Sequence, residues 1–367
     1  MKKRLFTKAL ILVMIMSLAV PMPVFAAKKS KGGKLPKNIT YYRYNHGRWE
    51  KSSKTSYTYD KKNYPAEISD TSYGSYFMGI PFSASTREFK AKYKYKGKTP
   101  KSMTLKNASG KVEEKRKYDK KGNLTSRSWT ENSSSRIGVE VDGTEVGAYE
   151  NITLSSSSNK IKYNKKGLAT SVSWSNAESF THGTDYKENT SDNSSGSYSI
   201  LLTQKKGVPS YVEDTNVTRS SSETWWSYAN NAFKTITRYN YADGTWSWTG
   251  SDGTSSSGKS DILWRGYSKY NKNGFLIEAG EIRIDTATGA RVVFPRYRVT
   301  YKMKKGLVTQ ATLYEVDTDA NSGIFIRQNP QGQFRFKYDK KLKVSKERYF
   351  NMVNSQIGHH GYIFNWY

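Results

Sequence analysis

One seven-residue phrase recurs along this chain and constrains its fold more than any other feature. Its fullest form is Tyr118-Asp119-Lys120-Lys121-Gly122-Asn123-Leu124. Asp or Asn suits the first position of a type I turn, because its side chain accepts hydrogen bonds from nearby backbone amides. Gly suits the end of the turn, because it reaches positive φ without a Cβ clash. The phrase therefore predicts a β-hairpin with a three-residue loop. The copies span 59–65, 118–124, 163–169, 203–209, 270–276, 302–308 and 338–344.

Hairpin geometry makes the residues that flank each loop direct cross-strand partners. Aromatic–aliphatic pairs of this kind contribute about 0.2–1 kcal/mol each. One tight turn per unit, followed by a long return, places successive turns at the same edge of an antiparallel sheet. The copy at 338–344 fits least well, because Leu342 stands where the glycine should be. The expected pairs are Tyr118 with Leu124, Tyr163 with Ala169, and Tyr270 with Leu276.

The lysines of the phrase fall at the loop tips, where nothing packs against them. Because the tight turns share one edge, the sequence predicts a basic rim. Two interpretations stay open: charge that protects exposed turns and keeps the protein soluble, or a surface that binds an anion. The candidate binding residues are Lys120, Lys121, Lys165, Lys166, Lys205, Lys206, Lys304 and Lys305.

The segment from Tyr118 to Ser126 resembles the YD (Rhs-type) repeat, whose core is a Tyr-Asp-x-x-Gly-Asn-Leu-Thr hairpin. In that family, the repeats build a long, curling β-sheet that can close into a shell. The resemblance implies a structural shell or a protein–protein interaction module. It covers about ten residues of each copy.

The N-terminus has the pattern of a secretory signal peptide over residues 1–26, with a basic start, an apolar run over 9–20 and small residues at 24–26. The apolar run is shorter than the roughly 20 residues of a membrane span. We expect no transmembrane segment in the mature chain, and we predict a secreted protein at the cell surface of a Gram-positive-type bacterium. The basic, Gly-rich segment 27–38 is predicted to be a flexible leader.

Charge defines the expected partners. The chain has 60 Lys and Arg against 31 Asp and Glu, a formal net charge of +29. This excess attracts polyanions such as anionic wall polymer or polysaccharide, and extracellular nucleic acid only non-specifically. Another protein is an alternative partner. Because the chain has no Cys, burial and hydrogen bonds alone must hold the fold.

Alternating strand patterns, with no convincing amphipathic helix, predict an all-β fold. We expect repeated antiparallel hairpins that form a long twisted meander sheet or a half-closed barrel or sandwich. Ser-rich stretches are interpreted as return loops or short disordered excursions; they lie at 132–135, 155–159, 189–199, 219–222 and 250–258. A weak boundary there separates regions 39–190 and 191–367, with one continuous domain as the alternative.

Motifs of common catalytic classes are missing from the sequence, which has no Gly-x-Ser-x-Gly elbow, His-Glu-x-x-His motif or phosphate loop. Carboxylates such as Glu113, Glu114, Glu278 and Glu281 are interpreted as solvated or salt-bridged. The segment 317–323 resembles half of a calcium loop, but it lacks the closing Glu, which favours a plain hairpin loop. We predict no catalytic residues, no metal and no cofactor.

Aromatic residues concentrate around a second turn signal, Asp243-Gly244, which predicts a two-residue hairpin. That turn would pair Tyr241 with Trp246 and Tyr239 with Trp248. An exposed aromatic face stacks sugar rings, whereas a covered one packs on another layer, and both remain open. The aromatic binding candidates are Tyr239, Tyr241, Trp246 and Trp248.

Together these features predict a secreted, non-catalytic binding protein. It would contact anionic cell-wall polymer or glycan through the lysine-rich rim and the aromatic face. A structural YD-like shell or interaction module is the second hypothesis, and a polysaccharide-active enzyme is the third.

Overall fold

The structure is a computed structural model that describes residues 33–77, 80–141, 144–164, 169–183, 189–205, 208–226, 232–240, 243–250 and 252–360. Within these residues, the chain forms β-strands followed by one C-terminal helix, α1 (Lys346–His360). The strands are β1 (Gly33–Asn45), β2 (Arg48–Tyr59), β3 (Pro65–Ser72), β4 (Ser75–Phe77), β5 (Ile80–Phe82), β6 (Ser85–Lys96), β7 (Thr99–Asn107), β8 (Val112–Tyr118), β9 (Leu124–Val141), β10 (Thr144–Tyr163), β11 (Ala169–Gly183), β12 (Asn189–Lys205), β13 (Val208–Trp226), β14 (Ala232–Asn240), β15 (Thr245–Thr249), β16 (Ser255–Lys259), β17 (Ile262–Tyr270), β18 (Leu276–Asp285), β19 (Arg291–Lys304), β20 (Leu307–Thr318) and β21 (Phe325–Val344).

The main sheet is antiparallel and closes on itself. Of its 19 strands, β14, β15 and β16 form a side ladder on β13, which leaves 16 in the ring (19 minus 3). β13 also pairs directly with β17. The ring closes because β1 pairs with β21, with Ile39 opposite Phe336. The all-β prediction is therefore confirmed, and the hairpins form a closed barrel.

The recurring phrase makes tight turns at a single end of this barrel. Because successive strands of the ring alternate in direction, every second connection lies at the same end. The copies between β2 and β3, β8 and β9, β10 and β11, β12 and β13, β17 and β18, and β19 and β20 all lie there. Gly33 and Val344, paired where β1 begins and β21 ends, mark the same end.

The turn at 60–64 has the predicted three-residue loop. The amide of Asn63 donates to the carbonyl of Asp60 at 2.9 Å, and Asp60 Oδ1 accepts from the amides of Lys62 (2.8 Å) and Tyr64 (2.9 Å). The turns at 119–123 and 271–275 repeat these bonds, with Gly122 and Gly274 at φ 87° and 84°. The three predicted aromatic–aliphatic registers are confirmed.

Three copies of the phrase depart from that geometry. At 203–209, the pairing of Lys205 with Val208 leaves only two residues between the strands. The copy at 302–308 has no Asp or Asn to accept the amides, and it closes with a two-residue turn at Lys305 and Gly306, whose φ values are 52° and 78°. The copy at 338–344 is not a hairpin, because β21 continues through it to pair with β1. Leu342 packs against the core instead of turning the chain.

Tyrosine hydroxyls join neighbouring hairpins, a feature that the sequence pattern did not predict. Tyr163 donates its hydroxyl to the carbonyl of Leu124, the aliphatic residue of the preceding copy, at 2.7 Å. Because phenylalanine lacks the hydroxyl, this bond explains why the phrase uses tyrosine. Equivalent bonds to the preceding strand run from Tyr59 to Pro36 (2.6 Å), Tyr301 to Leu276 (2.6 Å) and Tyr338 to Val308 (2.7 Å).

We expect Tyr163→Phe to lower the free energy of unfolding by about 1 kcal/mol, since the part-buried hydrogen bond to Leu124 is lost. Urea denaturation followed by circular dichroism measures the change. Tyr44→Phe is the matched control, because Tyr44 lies at the opposite end and packs edge-on against Trp49. An equal loss in both variants would contradict a specific role for the interstrand bond.

α1 lies inside the barrel at the end with the tight turns. It begins after Ser345, whose Oγ accepts from the amide of Arg348 at 3.2 Å. Its residues meet strands from distant parts of the ring: Met352 lines one cavity with Ile68 of β3 and Leu105 of β7. On another side, Phe350 packs edge-on against Phe275, which precedes β18, with ring centroids 4.8 Å apart. Side chains from such distant parts of a closed ring reach one helix only if that helix lies within the ring. The apolar positions of α1 are Tyr349, Phe350, Val353 and Ile357.

The sequence analysis missed this helix because polar residues interrupt its apolar stripe. Asn354, Ser355 and Gln356 are themselves buried. Asn354 explains why: its Nδ2 donates to the carbonyl of Gly274 at 2.7 Å, and its Oδ1 accepts from the amide of Leu276 at 3.0 Å. A buried polar side chain with such partners stabilises the packing. In the sequence alone, however, these polar residues resemble a solvent-facing segment. No helix within the described residues is long and apolar enough to cross a membrane.

Further contacts attach α1 to the turns and to β1. The Tyr349 hydroxyl accepts from the amide of Val308 at 2.6 Å, and Arg348 donates to the carbonyl of Asn63. Gly33 lies directly against the helix, since a Cβ at that position would overlap with the Cβ of Tyr349. The start of β1 and the tight turns therefore form one packed unit with α1.

Several segment predictions need correction. β1 begins at Gly33, so residues 33–38 of the predicted leader 27–38 belong to the barrel, where Leu35 packs in the core. Four of the serine-rich stretches predicted as loops lie in β9, β10, β12 and β13, and residues 255–258 of the fifth lie in β16. Their serines pair across strands, as in the 2.8 Å contact between Ser158 Oγ and Ser175 Oγ. The boundary between 190 and 191 falls within β12, whose ladder with β11 runs across it; the division stays a prediction. The predicted signal peptide at 1–26 lies outside the described residues.

Candidate functional site

Exposed lysines surround the barrel at the end with the tight turns. Each lies in a tight hairpin or at its edge, and each side chain is exposed. We call this set the lysine rim, and it consists of Lys61, Lys62, Lys98, Lys120, Lys121, Lys272, Lys304 and Lys305. Of the other predicted rim residues, Lys165, Lys166 and Lys206 lie outside the described residues, as does the side chain of Lys205.

The aspartates of the same turns bond to the protein itself. Asp119 Oδ1 accepts from the amides of Lys121 (2.8 Å) and Asn123 (2.9 Å), and its Oδ2 accepts from Asn123 Nδ2 at 2.8 Å. Asp60 accepts in the same way and also bonds to the Tyr95 hydroxyl. The carboxylates thus face the backbone while the ammonium groups extend into solvent, so the rim presents positive charge.

Lys62 differs from its neighbours because it bridges two turns. Its Nζ donates to the carbonyl of Gly97 at 2.6 Å and lies 3.8 Å from the ring centroid of Tyr95. One rim ammonium is therefore used in structure. Lys120, Lys272 and Lys304, whose side chains are exposed, are the better candidates for binding.

The aromatic candidates lie at the opposite end of the barrel. β14 pairs with the part of β13 that begins at Thr218. Thr218 lies ten residues along β13 from Val208, the end of that strand nearest the rim (218 minus 208). At 3.3 Å per residue, that separation is about 33 Å along the strand. The structure therefore does not bring the lysine rim and the aromatic ladder into one site.

The predicted register of the aromatic ladder was wrong. Tyr239 lies opposite Trp246, and Thr237 lies opposite Trp248. Asp243-Gly244 does not close a two-residue hairpin, because the carbonyl of Gly244 accepts from the amide of Ser260 at 2.8 Å. That bond holds the turn against the connection between β16 and β17. Tyr241 and the side chain of Tyr239 lie outside the described residues.

The two tryptophans of the ladder are half-buried and cover glycines. A Cβ at Gly258 would lie 2.9 Å from Trp246 Cζ2, and one at Gly250 would lie 2.9 Å from Trp248 Cη2. One side of each indole thus packs on its own ladder. This arrangement favours the structural interpretation of these rings over sugar stacking.

The segment 317–323 is a plain hairpin loop. Asp319 Oδ1 accepts from the amides of Asn321 (3.1 Å) and Ser322 (2.8 Å), while the carbonyl of Asn321 accepts from Arg283 Nη2 at 2.6 Å. Asp317 Oδ2 lies 2.6 Å from Arg327 Nε. The oxygens that would bind calcium are thus occupied by amides and guanidinium groups. In the described part of the chain, no group of three His, Cys, Asp or Glu is placed to hold a metal.

A buried charge cluster lies inside the barrel wall, and sequence reasoning did not single it out. Glu114 bonds to Arg116 and to Arg127, whose Nε and Nη2 lie 2.7 and 3.2 Å from its two oxygens. Burial opposes ionisation of Glu114, but attraction by Arg116 and then Arg127 outweighs it and lowers the pKa of Glu114 to about 2. Arg127 also stacks on Trp129, with 4.3 Å between its guanidinium carbon and the ring centroid. Glu114 is therefore salt-bridged, as the sequence analysis proposed for such carboxylates.

A groove of about 540 Å³ crosses the serine-rich strands. Five of its serines lie in register on adjacent strands: Ser128, Ser158, Ser175, Ser195 and Ser220. They face away from the core, because Trp129 and Trp174 alternate with them and are buried. One face of the sheet thus carries a row of serine hydroxyls, while Glu114 and Trp129 of the opposite face also line the groove.

Comparison with known proteins finds a weak structural similarity. No protein-family profile and no curated protein sequence match the chain. Among solved structures, it is similar to a porin-like protein from Bacteroides uniformis ATCC 8492, with 8% sequence identity and a TM-score of 0.34, over 84% of this chain and 99% of that one. A likeness at this level carries no argument, so the barrel assignment rests on the strand pairings. The resemblance to the YD repeat stays a prediction.

Proposed function

We propose that this protein is an extracellular, non-catalytic binding protein that holds an anionic cell-wall polymer on its lysine rim. The observation that carries the proposal is the arrangement of charge at the tight turns. The lysine side chains are exposed, whereas aspartates of the same turns accept hydrogen bonds from the backbone. The secretory pattern at 1–26 and the net charge of +29 support export and a polyanionic partner.

The spacing of the rim suits a repeating anion. Neighbouring strands lie about 4.8 Å apart, so tight turns two strands apart are separated by about 10 Å along the rim. A single exposed ion pair contributes little in water. A polymer that carries phosphate or carboxylate groups at intervals contacts several turns at once, and the combined binding is much stronger than any one contact. Screening by salt should weaken it.

Retention on purified cell wall tests the proposal. We expect the protein to sediment with the wall at low salt, and the variant with Lys120, Lys121, Lys272 and Lys304 all changed to Glu to bind at least tenfold more weakly. The matched control changes Lys90, Lys92, Lys106 and Lys259 to Glu. The first three are exposed lysines on β6 and β7, at least five residues from the tight turn at 97–98, and exposed Lys259 lies on β16. The control changes the net charge equally.

The outcomes separate the alternatives. No retention of the unmodified protein at low salt would refute wall binding. Equal losses in both variants would mean that overall charge, not the rim, attracts the polymer. Retention that survives high salt and does not require glycan would favour the structural or protein-interaction hypothesis.

A further inference from the structure

A cavity of about 210 Å³ lies beneath the lysine rim, between α1 and the wall formed by β1, β2, β3, β6, β7 and β8. The helix supplies one side through Arg348, Met352 and Gln356. The cavity is internal to the barrel and separate from the exposed lysines. At about 30 Å³ per water molecule, its volume corresponds to about seven waters. It therefore suits a small molecule and not a polymer.

Two guanidinium groups line the cavity from opposite sides. Arg116 reaches it from β8, where Glu114 holds its Nε. Arg348 reaches it from α1, with its guanidinium carbon 4.1 Å from the ring centroid of Tyr64. Among the described residues that line the cavity, no Asp or Glu is present. Glu114 balances the charge of Arg116, so Arg348 supplies the positive charge that favours an anion in this cavity. The planar fork of arginine matches a carboxylate.

The remaining walls are aromatic and apolar. Tyr64 and Tyr93 lie with ring centroids 5.2 Å apart, and Ile68 and Met103 complete the lining near them. Burial raises the pKa of Tyr93, so its hydroxyl stays protonated at neutral pH. Such walls bind the body of a ligand by removing apolar surface from water, and neutral hydroxyls donate to an anion.

We infer that this cavity binds a small organic carboxylate with an aromatic body. Arg348 and Arg116 bind the carboxylate group, and the ring packs between tyrosines and Met352. Because α1 forms one wall, the ligand contacts both helix and barrel. Binding therefore stabilises the folded protein. This site goes beyond the proposed polymer binding and does not depend on it.

Calorimetric titration of the full chain with benzoate, beside neutral benzamide of the same shape, tests the inference. We expect benzoate to bind with a Kd below about 1 mM (−4.1 kcal/mol) and to raise Tm. Benzamide should bind at least tenfold more weakly. Arg348→Gln should weaken benzoate binding at least tenfold, whereas Arg335→Gln, an equal charge change on exposed β21, should leave it unchanged.

A second variant keeps the test decisive if Arg348→Gln fails to fold. Met352→Phe fills the cavity and keeps the apolar helix face, so we expect it to fold and to lose benzoate binding. No binding to the folded protein, equal binding of benzamide, or unchanged binding by the folded Met352→Phe variant would overturn the inference. Retention on cell wall is also measured with and without benzoate. This measurement distinguishes a failure of benzoate binding in the cavity from a failure of polymer binding on the lysine rim.

Discussion

Replacement of Glu114 by Gln is expected to lower the free energy of unfolding by about 3–5 kcal/mol. Glu114 bonds to Arg116 and Arg127 in the barrel interior, and all three side chains are buried. Removing one member of a buried ion cluster leaves charge without compensation, which is far more costly than losing an exposed pair. Urea denaturation followed by circular dichroism measures the loss.

The acid dependence of stability gives a second readout of the same cluster. The pKa of Glu114 is lowered to about 2 in the folded protein, below the value of about 4.3 for an unperturbed Glu. The contribution of the ionised Glu114 to the free energy of unfolding is therefore present above about pH 4.3 and is lost as the pH falls toward 2. Glu114→Gln should remove this part of the acid dependence.

Glu50→Gln serves as the control, because Glu50 bonds to Arg48 on the exposed surface at 2.8 Å. Exposed pairs of this kind contribute little, so we expect no measurable change in stability. A Glu114→Gln protein that unfolds at the same urea concentration as the unmodified protein would contradict the role assigned to the cluster.

Tyr349→Ala is expected to lower the free energy of unfolding by about 3–5 kcal/mol, as truncation of other buried aromatic side chains does. Tyr349 is 2% exposed and packs edge-on against Phe275, with ring centroids 5.9 Å apart. Its hydroxyl also accepts from the amide of Val308. The variant should lose both the packing and the hydrogen bond that attach α1 to the barrel.

Tyr349→Phe separates these two contributions. It keeps the ring and leaves the Val308 amide without the hydroxyl, so we expect a smaller loss of about 1–3 kcal/mol. Amide hydrogen exchange at Val308 should accelerate in both variants. Unchanged stability and exchange in Tyr349→Ala would mean that α1 does not hold the rim end of the barrel together.

Local backbone chemistry explains what the sequence could predict. Asp or Asn before two lysines and a glycine specifies a turn within a few residues, so the registers at Tyr118, Tyr163 and Tyr270 followed from the phrase alone. Alternation of strand direction then placed the turns at one end. Where part of that chemistry was missing, the predicted three-residue loop was wrong: the first-position Asp or Asn is absent at 203–209 and 302–308, and the glycine is absent at 338–344.

Features that depend on contacts between residues far apart in the chain could not be predicted from local sequence. Ring closure pairs β1 with β21, and nothing local marks either strand as the partner of the other. Asn354 and Glu114 are polar residues of the kind that usually face solvent. In the structure they bond to Gly274 and Arg127, which lie on other elements of the barrel. The cavity between Arg116 and Arg348 exists only once the helix is placed inside the ring.

Closure between β1 and β21 also sets an order of events during synthesis. Ile39 and Phe336 are 297 residues apart in sequence (336 minus 39) yet directly opposite in the sheet. While the chain emerges from the ribosome, one edge of β1 must wait for a partner that is synthesised about 300 residues later. Such long-range pairing slows folding, and an open edge invites pairing with another chain. A chaperone that shields this edge should therefore raise the yield of folded protein more than one that acts on the locally formed hairpins.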